Sequence, residues 1–153
     1  MTDLNFEDII GRYFNLNLKN DNYRIYVEEA GQGTPLLCLH TAGSDGRQFR
    51  HILNDKRITN NYRVIVFDLP WHGKSNPPEG YELKDYKLTT NLYKEIIMSF
   101  CKQYKLIDPV IMGCSMGGRV VLHLALEHCD YFKAVIALEG SDKLEPYYDL
   151  DWL

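Results

Sequence analysis

The stretch that most constrains this 153-residue chain is Val110-Ile111-Met112-Gly113-Cys114-Ser115-Met116-Gly117-Gly118. A short apolar run, Pro109 to Met112, reads as a buried strand. After it, Val120, Val121, Leu124, Ala125 and Leu126 are apolar, while Arg119, His123 and Glu127 recur every four residues as one polar stripe. That pattern predicts a mostly buried helix with a narrow solvent-facing side. A strand, a sharp turn and a helix follow one another without a linker. Such a turn brings backbone too close for a Cβ, which explains glycine at positions 113 and 117. It lifts the Ser115 hydroxyl above the strand ends and leaves the Met116 N–H free at a helix N-terminus, where it can bind an oxyanion. The plainer alternative is a tight strand-to-helix connection with Ser115 as its N-cap.

Upstream, Tyr13 to Leu18 alternates apolar and polar residues, Asn20-Asp21-Asn22 signals a turn, and Tyr23 to Glu29 alternates again. This predicts an antiparallel hairpin. Pro35 to Leu39 is a continuous apolar strand running into the small-residue loop His40-Thr41-Ala42-Gly43-Ser44-Asp45-Gly46. Such a loop can present a second oxyanion donor, and the Ala42 N–H is the candidate. Ser44 or Asp45 can cap a following helix whose Phe49, Ile52 and Leu53 face a core. Another buried strand, Arg63 to Asp68, leads to Leu69-Pro70-Trp71-His72-Gly73-Lys74-Ser75 and the breaker cluster Pro77-Pro78-Glu79-Gly80. A helix begins around Thr89 or Thr90, with Leu92, Ile96, Ile97, Phe100, Cys101 and Tyr104 on its apolar face. Lys133 to Leu138 is a last apolar strand.

Strands alternating with helices predict an α/β fold, a mostly parallel sheet entered by the antiparallel hairpin and covered by helices on both faces. With 45% hydrophobic and 25% charged residues, residues 1–153 read as a single domain. The formal charge of −4 and the lack of a basic stripe argue against nucleic acid. No apolar run of membrane-spanning length and no signal pattern occurs, so no membrane partner is expected. Cys38, Cys101, Cys114 and Cys129 have no metal or redox spacing, and packing is the expected role of all four. Free thiols fit a cytoplasmic setting. No metal or cofactor motif is present, and Gly31-x-Gly33 lacks the third glycine of a dinucleotide loop.

In chain order, Leu39-His40-Thr41-Ala42-Gly43, Asp68-Leu69-Pro70-Trp71-His72-Gly73-Lys74-Ser75 and Gly113-Cys114-Ser115-Met116-Gly117-Gly118 resemble the oxyanion loop, the D-x-R-G-x-G-x-S loop and the nucleophile elbow of the α/β-hydrolase fold family. Thr41 stands where the family commonly has Gly, and Pro70-Trp71 where Arg-Gly is usual. The resemblance implies a serine hydrolase that cleaves a small-molecule ester, thioester or amide through an acyl-enzyme at Ser115. It also implies an acid and a histidine further along the chain. Only 38 residues follow Ser115, so the domain is expected to be incomplete, lacking the family's last strands, its cap and its last helices.

His123 is expected to point to solvent, His128 ends the same helix, His40 and His72 look like loop scaffolding, and Asp142 reads as an exposed loop carboxylate. The alternative function is a non-catalytic remnant or binding module on the same fold. Epoxide and haloalkane hydrolases of this family usually carry Asp at the elbow tip, which Ser115 disfavours. An incomplete sheet would leave the strand Val135 to Leu138 as a bare edge, open to a second copy or a second chain.

Overall fold

The computed structural model describes residues 6–83 and 87–141. Six strands form one sheet: β1 (Ile10–Leu18), β2 (Asp21–Ala30), β3 (Thr34–Leu39), β4 (Tyr62–Phe67), β5 (Val110–Cys114) and β6 (Ala134–Leu138). Their spatial order is β1-β2-β4-β3-β5-β6. The first two pair as an antiparallel hairpin, β2 meets β4 antiparallel, and β4, β3, β5 and β6 run parallel. Each predicted strand is present, one to three residues longer or shorter at its ends.

Helices cover both faces, which is why the central strands carry unbroken apolar runs. Leu37, Leu39, Ile65, Phe67 and Ile111 point to one face, packed with Ile96, Ile97, Phe100, Val120, Val121 and Leu124. These come from α3 (Thr90–Gln103) and α4 (Met116–Glu127). Leu36, Cys38, Val64, Val66, Val110 and Met112 point to the other face, against Phe49 and Leu53. The predicted helix over that second face is a 3₁₀ turn, Gly46–Phe49, followed by the short helices α1 (Arg50–Asn54) and α2 (Lys56–Thr59). Asp45 rather than Ser44 caps the turn, accepting from the Arg47 N–H. Thr89 caps α3 through the Leu92 N–H, as its hydroxyl and position lead one to expect.

The chain leaves β3 for β4 on one side and returns to β5 on the other, so strand order reverses at β3. The crevice at the C-terminal ends of β3 and β5 is the switch point at which open α/β sheets bind ligands.

One expectation needs correction. Cys38 and Cys101 are buried, and burial pushes both thiols up to about 12; Cys129, however, lies exposed beyond the end of α4, its Sγ 3.7 Å from Asp130 Oδ1 rather than in a core. The free edge is as expected: among the described residues β6 pairs only with β5, and Ile136 and Leu138 are 40% and 43% exposed. No described helix is long and apolar enough to cross a membrane.

Candidate active site

Ser115 sits between β5 and α4 with φ 51° and ψ −111°, a combination outside even the small left-handed region open to L-residues. Close glycine packing holds it there. A Cβ on Gly113 would lie 2.2 Å from the Gly117 carbonyl oxygen, one on Gly117 2.5 Å from that of Leu39, and one on Gly118 2.6 Å from that of Leu138. The neighbouring strands therefore press on the turn from both sides, and the Ser115 N–H donates to the Leu138 carbonyl at 2.8 Å. Ser115 makes no capping hydrogen bond with its side chain. The N-cap alternative, in which that hydroxyl satisfies the helix end, is thus not what this turn does.

The loop after β4 is organised differently. The buried Asp68 accepts from the Gly46 N–H through Oδ1 and from the Lys74 N–H through Oδ2, both at 2.7 Å. Ser75 Oγ donates to the Asp68 carbonyl at 2.6 Å and accepts from the Tyr26 N–H at 2.8 Å, tying the loop to β2. Trp71 takes φ 70° at the position where Gly is usual in the resembling loops, and its ring meets Tyr81 edge-on at 5.0 Å. His72 donates from Nδ1 to the Pro70 carbonyl at 2.9 Å.

These loops and the start of α3 form a small cleft, open to solvent, lined by Ala42, Gly43, His72, Leu88, Thr89, Thr90, Tyr93, Met116, Arg119 and Val120. Ala42 and Met116, far apart in the chain, line the same cleft, and Met116 is the first residue of α4. An N-terminal N–H has no partner inside its own helix and carries the positive end of the helix dipole. No hydrogen bond joins Ser115 Oγ to a histidine among the described residues. His40 is fully buried with both ring nitrogens engaged: Nδ1 donates to the Thr41 carbonyl at 2.8 Å and Nε2 accepts from the Leu69 N–H at 3.1 Å. Burial pushes its pKa below the usual imidazole value. That is the scaffold role expected of it. Asp142 lies outside the described residues.

A family model described as the alpha/beta hydrolase fold matches residues 34–152. The chain belongs to the α/β-hydrolase fold family. It is 27% identical over 119 residues to a pimeloyl-[acyl-carrier protein] methyl ester esterase of Vibrio vulnificus, an alignment that covers 78% of this chain and 42% of that protein. Among solved structures it resembles a thermophilic esterase from Thermogutta terrifontis, with TM-score 0.76, 20% identity, and coverage of 88% of this chain and 47% of that one. A haloalkane dehalogenase from Agrobacterium tumefaciens is similar at TM-score 0.68 and 20% identity, over 85% of this chain and 41% of that one. The chain thus spans about two fifths of the length of the curated relatives it matches.

In this α/β-hydrolase sheet the polar stripe of α4 does not face solvent throughout. Arg119 is only 2% exposed and lines the cleft, His123 is half-buried with Nε2 covered, and only Glu127 reaches the surface, where Lys94 of α3 holds it at 2.5 Å. The predicted solvent-facing side is in fact the seam between α3 and α4. Arg119 could have been found by helical spacing alone, since it stands four residues after Ser115 on the same side of the helix. No such signal marks Leu88, Thr90 or Tyr93, because only the crossover from β4 brings the start of α3 over the elbow.

Proposed function

We propose that the complete protein is a serine hydrolase that cleaves a carboxylic ester, thioester or amide through an acyl-enzyme at Ser115. One observation carries this reading: a serine in strained backbone at the tip of a glycine-packed elbow, beside a cleft that Ala42 and Met116 both line. In the reaction the Ser115 oxygen attacks the acyl carbon and loses its proton to a base. The carbonyl oxygen becomes an oxyanion held by the N–H groups of Ala42 and Met116, and the leaving group departs with the proton. Deacylation by water repeats the sequence. The esterase relatives support the acyl class, and serine rather than Asp at the elbow tip favours it over epoxide or haloalkane chemistry.

The base and its acid partner are then supplied by residues outside those described here, or by a second chain. A strand added to the free side of β6 would bring such residues to the same end of the sheet. Intact-mass analysis after treatment with a fluorophosphonate tests the reading. We expect one adduct on the native chain and none on Ser115→Ala. A folded chain that never labels favours the second reading, a non-catalytic binding module, which the missing hydrogen bond between Ser115 and a histidine would then explain.

A further inference from the structure

His72 and His40 lie side by side, ring centroids 5.0 Å apart, and both donate from Nδ1 to a backbone carbonyl. A carbonyl oxygen only accepts, so in each neutral ring the proton sits on Nδ1 and the lone pair on Nε2. There the two diverge. The lone pair of His40 is used by the Leu69 N–H deep in the fold, whereas Nε2 of His72 has no hydrogen-bond partner among the described residues and His72 is one of the residues lining the cleft. Three hydrogen bonds hold His72 in place. Its N–H donates to the Leu69 carbonyl, its carbonyl accepts from the Ser75 N–H, both at 3.0 Å, and its ring is tied to Pro70. This is a preorganised acceptor.

The groups around it are of opposite character. Arg119 brings positive charge to the cleft, Ala42 and Met116 line it as the candidate oxyanion donors, the hydroxyl of Thr89 is taken up by the Leu92 N–H, and Leu88 and Val120 form an apolar wall. A ligand that presents only oxygen acceptors would leave the His72 lone pair facing it without a proton to share. We propose that His72 is a specificity-determining residue whose Nε2 accepts a hydrogen bond from a hydroxyl or amide N–H on the substrate. The substrates are therefore acyl compounds that carry such a donor beside an apolar portion. The substrate class rests on the hydrolase reading above, but binding of a donor at Nε2 does not.

The test separates the two by using Ser115→Ala, in which no chemistry can occur. Benzyl alcohol and benzyl methyl ether, in which the hydroxyl donor is capped by one methyl group, are titrated against this chain and followed by ¹⁵N resonances of the histidine rings. The free protein should show His72 with a protonated Nδ1 and an unprotonated Nε2. The alcohol should shift Nε2 and bind about fivefold more tightly than the ether, as expected for one neutral hydrogen bond. His72→Phe, which keeps a flat ring against His40, should bring that ratio to about one. The proposal is overturned if Nε2 carries the proton, if the alcohol leaves its resonance unmoved, or if the preference for the alcohol survives in His72→Phe. The ring resonances of the chain with native His72 decide the matter even if His72→Phe does not fold. Fluorophosphonate labelling of the chain with Ser115 intact is a separate outcome, so either idea can fail without the other.

Discussion

Two turns at the same end of the sheet each hold a side chain at positive φ, and they do so by different means. At the elbow after β5, Ser115 is forced by shape: Gly117 packs against the backbone of β3, Gly118 against that of β6, and Gly113 against the first turn of α4. In the loop after β4, Trp71 is held by polar contacts that radiate from Asp68 and Ser75. Steric confinement tolerates no added atom but is indifferent to pH. A hydrogen-bonded loop depends on the charge and geometry of its anchors and tolerates side-chain changes between them, except at Gly73, where a Cβ would lie 2.1 Å from Asp68 Oδ2.

Gly113→Ala should break the first kind of turn outright. Its Cβ would meet backbone at 2.2 Å, and the loss should exceed about 3 kcal/mol, a large part of a domain's total stability. Thermal denaturation or expression as soluble protein reads this directly. Next comes Asp68→Ala, which leaves two N–H groups without their buried acceptor and should cost about 3 kcal/mol in denaturant titration. Ser75→Ala, which removes one donor and one acceptor of the same network, should cost about 1–2 kcal/mol.

Acid should separate the turns further. The buried His40 has a lowered pKa, so the unfolded chain takes up its proton first. Its contribution to stability is complete above about 6.5 and declines as pH falls below that value. The Arg47 guanidinium holds the Asp45 carboxyl down to about 2, so its contribution is complete above about 3.8 and is lost as pH falls from there towards 2. Both groups brace the Asp68 side: His40 through the Leu69 N–H, and Asp45 by capping the turn whose Gly46 N–H binds Asp68. Protection against hydrogen exchange at Leu69 and Lys74, taken relative to the intrinsic rate at each pH, should therefore fall on acidification well before protection at Ser115, whose N–H is bound to Leu138. Equal loss at the two sites would erase the distinction.

The smallest effect is expected at Trp71→Gly. Relief of about 1 kcal/mol of left-handed strain is offset by the lost edge contact with Tyr81 and by the greater freedom of glycine when unfolded. Stability should stay within about 1 kcal/mol of native. A much larger loss would mean that this loop, too, is held by shape.

Much of this was readable from local pattern. The strands announced themselves because β3, β4 and β5 carry unbroken apolar runs, Leu36 to Leu39, Val64 to Phe67 and Val110 to Met112, buried on both faces, and the elbow did so because only glycine fits where backbone touches backbone. The start of α3 was legible around Thr89 or Thr90 because an apolar helical face follows directly; that Thr89 is the cap was shown only by its bond to the Leu92 N–H. Arg119 was misread as solvent-facing. A stripe of polar residues looks the same whether it meets water or another helix, and only the packing of α3 against α4, shown by the Lys94–Glu127 pair, tells them apart.

The sequence by itself determined the α/β architecture and the place of Ser115 in the turn between β5 and α4, because each follows from the chemistry of contiguous residues. The tertiary structure alone decided that residues from four separate loops and helices share one cleft, that His40 and His72 meet with one lone pair used and the other open, and that Arg119 turns inward. Those facts depend on strand order and helix crossing, which place residues tens of positions apart within a few ångströms. No local pattern of residues encodes that distance.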